Sequence, residues 1–493
     1  MSDPKLVAPI TIGIDLGTSS IKVVALKNGA PVGEAFAPFP TLSELPHQAE
    51  QEPQDWLHST ARAMHALNSE LSLVQGPRWT EQVAAIGLTG QLPTLVCLSD
   101  HGPIAPAITW RDGRADAWGT QKVGSRKAMY AATGMPIDAR YLAPMFEFHF
   151  AKRRNEVRCI LSAKDYLLSC LTGLEITEPS TAAGFGVYDL HTGTFSEQLC
   201  KFWDLPTVLL PSIRPANSLA GPLNANGAKL LGLPTNIPVS TGAADSVSAA
   251  YALAGLDEHI VSISFGSSTV IVGACPEIKL DSSARYLVTP HVTDRWYGRE
   301  MDLLATGTGY QWLSKLFGWN DHQIDSHAAQ SVPGAKGLVF PPYLAGGEQG
   351  ALWNPKLTGA LFGLTLHHTH SDIARAYMEG VFFEIRRCIE VLAESGKIDL
   401  IKATGNLTAY PSSLQMLADI LQRPVSASTN RSPAAIGAAL LAHTLIAHST
   451  ASTHAPAAAS AGSSASIEPN PASADLYAKL YQRYLERSAL CEY

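Results

Sequence analysis

An α/β fold is what the sequence predicts, and three observations carry that reading. Strand-like runs at Val83 to Leu88 and Thr94 to Leu98 alternate with helical runs at Asp55 to Asn68 and Ala163 to Leu171, the pattern of sheets covered by helices. A strand–turn–strand signature near the N-terminus has a second version downstream, with Gly17 and Gly266 lying 249 residues apart in a chain of 493. Length, at roughly 100–200 residues per domain, allows two to four domains or one large duplicated fold. Short β-Gly-Ser/Thr-β matches are common, so the offset makes duplication an expectation for the structure to test.

The elements follow in order. Ile12-Gly13-Ile14 leads into the turn Asp15-Leu16-Gly17-Thr18-Ser19-Ser20, and Ile21 to Leu26 leads out. Its downstream counterpart runs Val261 to Ser264, then Phe265-Gly266-Ser267-Ser268-Thr269, then Val270-Ile271-Val272. In the second half, Ile373, Ala376, Tyr377, Val381, Ile385 and Ile389 recur at helical spacing across Asp372 to Leu392. Ser412 to Leu421 and Ala434 to Ala447 read as further helices, the latter rich in small residues for close packing. From Ser449 to Ala474, Ala, Ser and Pro dominate with almost no charge, which reads as a flexible loop or linker outside the main body. Asp475 to Leu490 resumes a helical period and is expected to dock back.

Composition narrows the function classes. Hydrophobic residues make up 46% and charged residues 16%, and the latter is below the ~25% usual for globular proteins, which argues against disorder over most of the chain. Against 43 Asp and Glu stand 36 Lys and Arg, a net charge of −7, so no broad basic face for nucleic acid is expected. The first residues lack a charged segment followed by an apolar one, so no secretory signal is expected. Apolar runs such as Ile436 to Ala447 are too short or too broken to span a bilayer. Seven scattered cysteines without CxxC spacing fit a reducing compartment, and neither a disulfide framework nor a zinc site. A soluble cytoplasmic protein is expected.

Three constellations could carry chemistry. Asp15 ends a strand just before Gly17-Thr18-Ser19-Ser20. Such a carboxylate beside a turn of N–H and hydroxyl donors suits a nucleotide phosphate with a divalent cation, although an ordinary hairpin whose Asp bonds its own turn is the plainer alternative. Thr241-Gly242-Ala243-Ala244-Asp245 precedes the helical run Val247 to Leu253. Asp245 there is either a helix cap or a base that takes a proton from a hydroxyl during phosphoryl transfer. Trp110-Arg111-Asp112-Gly113-Arg114 offers a flat apolar wall, donors and an acceptor for a polyhydroxylated ligand, or else a salt-bridged turn. Pro342 to Glu348 with Trp353-Asn354-Pro355 reads as a loop with no deducible chemistry. His367-His368-Thr369-His370 reads as a solvated helix entry rather than a metal site. Neither a GxxxxGK[ST] loop nor a GxGxxG fingerprint is present.

In order and spacing, these segments resemble the FGGY family of carbohydrate kinases, within the actin/Hsp70/sugar-kinase (ribonuclease H-like) fold. The likeness runs from about Thr11 to His443 and includes Glu50-Gln51 through Pro53 to Trp56, and Gly359 to Leu364 continuing through Asp372 to Glu379. Gly90-Gln91 and Ile108 to Arg114 look most like xylulokinases and related pentulose kinases. The resemblance implies two lobes around a cleft: residues 10–254 on the sugar side with the catalytic Asp, and 255–448 on the nucleotide side. Residues 449–474 and 475–493 would then be a loop and a C-terminal helix. It implies ATP and Mg²⁺, with phosphorylation of a terminal hydroxyl on a ketose, and a homodimer is the family-based expectation. Asp245 would be the base and Asp15 would organise Mg²⁺. Gln91, Leu92, Trp110, Arg111 and Asp112 would line the sugar end with Asp245. The nucleotide would meet Gly17, Thr18, Ser19, Ser20, Gly266, Ser267, Ser268, Gly309, Gly405 and Asn406.

Four departures from the family pattern accompany the match. Leu92-Pro93 stands where Met-His is usual, Asn406 where a glycine is usual, Ser246 where Asn or Gln is usual, and Tyr377 where a smaller residue is usual. They leave two alternatives to a xylulose kinase. One is a kinase for another polyol or a sugar acid of the gluconate type, and the other is a nucleotide-binding regulatory protein without sugar turnover. A chaperone-like ATPase on the same fold lacks room for a peptide-binding domain.

Overall fold

The structure is a computed structural model that describes residues 8–125, 127–449 and 465–492. In the first half, β1 (Ile10–Leu16) pairs antiparallel with β2 (Ser20–Lys27), which pairs antiparallel with β3 (Ala30–Pro38). On its other side β1 runs parallel to β4 (Val83–Gly90), and β4 runs parallel to β5 (Pro238–Ser240). The second half repeats this order. There β6 (Ile260–Phe265), β7 (Thr269–Cys275) and β8 (Tyr297–Leu303) form the antiparallel part. Strands β9 (Leu400–Gly405) and β10 (Val425–Ala427) continue it in parallel. The order 3-2-1-4-5 in one sheet is thus matched by 8-7-6-9-10 in the other, with the Gly17 and Gly266 hairpins at equivalent points. The duplication inferred from two hairpins is a property of both sheets.

All seven residues of β1 are buried, as expected of a strand covered on both faces. On one face lie α1 (Pro53–Val74), through Trp56, Met64, Leu67 and Leu71, and α2 (Ala163–Thr172), through Leu167, Leu168 and Leu171. On the other face lies α6 (Pro433–Ser449), a helix from the far end of the chain. Helix α3 (Asp245–Ala254), which follows the first sheet, packs instead on β6 and β7 of the second sheet and against α6. The small residues of α6 make its crossing possible. A Cβ at Gly13 would lie 1.8 Å from the Ala435 carbonyl oxygen, and one at Gly87 would lie 1.8 Å from that of Ala438. Sheet and helix backbones therefore touch directly.

The second sheet carries α4 (His370–Ala393) and α5 (Pro411–Leu421). A capping box between Thr369 and Asp372 starts α4, satisfying N–H groups that would otherwise lack partners. The histidine run expected at this entry sits there as a cap, with His368 Nδ1 accepting from the Thr365 N–H at 3.0 Å. Among the described residues no cluster of His, Cys, Asp or Glu could hold a metal by itself, and no helix is long and apolar enough to cross a membrane.

The C-terminal region corrects one expectation. Of the stretch read as a loop or linker, residues 450–464 lie outside the described residues, but Ile467 already bridges to Val425 at the end of the second sheet. Helix α7 (Ala474–Ser488) then packs into the second lobe. Tyr477, Tyr481 and Tyr484 are buried, and each hydroxyl meets a charged partner: Arg375 donates to Tyr477, while Tyr481 and Tyr484 donate to Glu390 and Glu384. Helical spacing predicted the docking, but not these partners. Burying each aromatic contributes roughly 1.5–3 kcal/mol. Truncation before Pro471 is therefore expected to lower the thermal midpoint by more than about 10 °C or to yield insoluble protein, as thermal unfolding and solubility assays would show.

Candidate active site

Both hairpins and the start of α3 sit at the carboxyl ends of parallel strands, where open α/β sheets bind ligands. Between them the two lobes enclose a cleft of about 310 Å³. Thr18 from the first hairpin and Ser268 from the second both line it, with Asp245 and Ser246. The Gly17 N–H donates to the Ser20 carbonyl at 3.1 Å, and Gly266 N–H to that of Ser268 at 2.9 Å. Each tip is thus a closed turn whose hydroxyl-bearing residues (Thr18, Ser19 and Ser20; Ser267 and Ser268) lie at one end of its sheet. Asp15 is buried beneath the first tip, 3.8 Å from the Lys22 ammonium. One of its oxygens, Oδ1, has no protein partner, and burial raises its pKa against the pull of Lys22.

Asp245 is the first residue of α3, and its Oδ1 accepts from the Ser246 N–H at 2.9 Å. Three buried side chains hold the segment that delivers it. Lys164 donates to the Thr241 carbonyl at 3.0 Å, Thr89 donates to that of Ala243 at 2.8 Å, and Ser180 Oγ accepts from the Ala244 N–H at 2.9 Å. Burial, then the nearby Asp15 charge, pushes the Asp245 pKa up to about 7. Opposite stand Glu300 and Asp302 on β8. Burial raises both, Glu300 further through the Asp302 charge, and Asp302 to about 6 despite Arg140. Two pairs of side chains bond across the cleft. Ser246 Oγ donates to Glu300 at 2.8 Å, and Arg140 donates through both terminal nitrogens to Gln349 at 2.8 Å, with the Gln349 amide oxygen turned inward.

The sugar-end expectations divide. Leu92 and Trp110 line the cleft, as does Pro93. Gln91 does not: its amide is buried and donates to Gln51 at 2.7 Å. Gln51 also accepts from Trp56 Nε1 at 3.1 Å and donates to the Thr18 carbonyl at 2.8 Å, so the Glu50–Trp56 segment braces the first hairpin. Asp112 is likewise turned inward, accepting from the Ala49 N–H at 2.9 Å and from Arg114 Nε at 2.9 Å, while Arg111 is exposed. For Asp112 the salt-bridged turn is the arrangement found, because Arg114 and a backbone donor consume its oxygens.

On the nucleotide side, Gly405 and Asn406 are exposed at the end of β9, beside the Phe265–Gly266 turn. Gly309 has a different task from the one expected. It is buried, and a Cβ there would fall 2.2 Å from the Tyr377 hydroxyl. Tyr377, the oversized residue of α4, uses that space to donate to the carbonyls of Ala305 and Thr306 at 3.0 and 2.8 Å. Thr306 in turn meets Thr269 at 2.8 Å, so Tyr377 supports the base of the second hairpin.

Among the cleft residues not anticipated from the sequence are Arg140, Tyr141, Glu300, Asp302, Gln349 and Trp353. A signal existed for two of them, since Glu300 and Asp302, two residues apart, put carboxylates on one face of a strand. Arg140, Tyr141, Gln349 and Trp353 lie outside the regular sheets, where no periodicity marks them.

Comparison with known proteins agrees with this geometry. The FGGY family of carbohydrate kinases matches through its N-terminal domain over residues 10–252 and its C-terminal domain over residues 261–445. The xylulose kinase of Escherichia coli (strain K12) is 30% identical over 441 residues, covering 87% of this chain and 89% of that protein. A gluconokinase of Bacillus subtilis (strain 168) is 25% identical over 87% of this chain and 86% of its own length. Among solved structures, the xylulose kinase from Rhodospirillum rubrum superposes with a TM-score of 0.86 at 27% identity, over 98% of both chains.

Proposed function

The chain belongs to the FGGY family of carbohydrate kinases, and from that premise we propose that it transfers the terminal phosphoryl group of ATP to the end hydroxyl of a neutral, xylulose-like ketose. The observation that carries the reading is Asp245, set at a helix start on the cleft wall between two phosphate-type hairpins. The substrate hydroxyl oxygen attacks the γ-phosphorus, the bond to the ADP oxygen breaks, and the hydroxyl proton passes to the Asp245 carboxylate. Such transfer depends mostly on position and charge neutralisation, which a single well-placed carboxylate suffices to support. The hairpin tips would hold the phosphates with N–H and hydroxyl donors.

Asp15 fits a divalent cation. Its Oδ1 is buried without a protein partner, as suits an oxygen that completes its shell with a hydrated ion, and Mg²⁺ commonly shares one carboxylate with substrate phosphates. Bound there, Mg²⁺ would neutralise phosphate charge. The chain's own part is to keep Asp15 buried beneath the first hairpin, close enough that Asp245 feels its charge.

Two features support a neutral sugar over a sugar acid. Leu92, Pro93 and Trp110 give an apolar wall, and Asp245, Glu300 and Asp302 give acceptors for hydroxyl groups. Arg140, the cation of the lining, is already engaged by Asp138 and Gln349. A sugar carboxylate would therefore add charge to an acidic wall without gaining a free cation. A coupled assay of ADP release with Mg-ATP across ketoses, polyols and aldonates tests this. A ketopentose is expected to give the highest kcat/KM; faster turnover of gluconate than of any ketose would refute the proposed substrate class.

A further inference from the structure

Glu300 and Asp302 are two residues apart on β8, so both side chains leave the same face of the strand. That face is cleft wall, whereas Arg299, Met301 and Leu303 point into the lobe and are buried. An ionised carboxylate has about four acceptor positions. Among the described residues, the Ser246 hydroxyl is the one hydrogen-bond donor placed on Glu300, at 2.8 Å. Ser246 comes from the first lobe, next to Asp245, and its short side chain leaves the remaining acceptor positions of Glu300 facing the cavity. Buried acceptors left without donors cost free energy, and a sugar supplies hydroxyl donors on successive carbons.

We propose that Glu300 is a substrate-hydroxyl acceptor contributed by the second lobe, that Ser246 is its positioning residue, and that the pair selects neutral polyhydroxylated substrates over acidic ones. The proposal rests on the sugar-kinase reading and deepens it, because the sugar then touches both lobes. Sugar binding would favour the closed cleft before phosphoryl transfer begins. Burial raises the Glu300 pKa and the Asp302 charge adds to it, a repulsion that a sugar acid would worsen.

The test combines turnover and binding, with xylulose and gluconate as probes. Glu300→Gln keeps the shape and removes the charge. It is expected to raise KM for xylulose tenfold or more, leave KM for ATP within about twofold, and narrow the preference for xylulose over gluconate several-fold; loss of one charge-assisted hydrogen bond is of this order. Ser246→Ala is expected to act in the same direction, more weakly and on KM rather than kcat. Calorimetric titration of each sugar into the nucleotide-free protein reads the same contact without turnover. Unchanged xylulose binding in both variants would overturn the proposal, and so would a parallel rise in the KM of both substrates, the mark of general structural damage. A wild type that binds xylulose but does not phosphorylate it removes the kinase reading while calorimetry still decides the role of Glu300. A wild type that does neither overturns both.

Discussion

Asp245→Asn is expected to lower kcat for sugar phosphorylation at least a hundredfold while making the ligand-free protein more stable above neutral pH. The loss follows from removing the group that receives the hydroxyl proton, a role typically worth roughly 10²–10⁴ in rate. The gain follows from linkage. Burial and the Asp15 charge hold the Asp245 pKa up at about 7 in the folded protein, against an ordinary value near 4 in the unfolded chain. A raised carboxyl pKa means that the folded state binds the proton more tightly than the unfolded state. Its stabilising effect is complete below about pH 4 and is lost as pH rises through about 7. At pH 8 the wild type therefore carries an ionised, crowded Asp245 that the amide replaces at a gain of roughly 2–4 kcal/mol, or several degrees in the thermal midpoint. Catalysis has the opposite dependence, since only ionised Asp245 accepts a proton. Plotted against pH, kcat/KM for the sugar should climb along an acidic limb at or below about 7, lower if a cation bound with the nucleotide stabilises the carboxylate. Equal stability of variant and wild type at pH 8, measured by thermal unfolding, would show that the site is not strained by its own charge.

Gly87→Ala is expected to be severely destabilising. Its Cβ would lie 1.8 Å from the Ala438 carbonyl oxygen and 2.5 Å from the carbonyl carbon, a clash with backbone that no rotamer can relieve. Overpacking against mobile side chains costs about 1–3 kcal/mol, and backbone against backbone should exceed that, because β4 or α6 must move as a unit. Strand β4 leads to Leu92 and Pro93 on the cleft wall, so the surviving folded fraction should also show a raised KM for the sugar. Gly396→Ala is the matched control, since nothing lies within 4 Å of its added methyl, and it should leave the thermal midpoint within about 2 °C. If Gly87→Ala unfolds at the wild-type temperature, the direct contact between sheet and helix is wrong.

The hairpins, the helices and the Asp at the start of α3 were legible because each rests on local chemistry: alternation, helical period, turn residues. Gln91 and Asp112 were misplaced for a physical reason. Residue type shows what a side chain can bond, but whether it faces a cavity or a neighbouring buried amide is decided by segments far away, here Gln51 and Ala49. Tyr377 and Gly309 illustrate the same limit. Each looked like a departure or a ligand contact alone, and only their spatial pairing shows that one makes room for the other. Arg140 and Gln349 were invisible because a bond between lobes has no signature in either segment.

The exchange of helices between the halves also bears on how the protein is made. The first sheet is complete once residue 244 has been synthesised, yet the helix that covers its second face begins at Pro433. At ~5–20 residues per second the ribosome needs about 10–40 s to produce that helix. During that interval the face built around Gly13, Val24, Leu26 and Gly87 is without its permanent cover. The nascent chain is therefore exposed to aggregation for longest just before its end, and an early stop in α6 would leave both lobes incomplete.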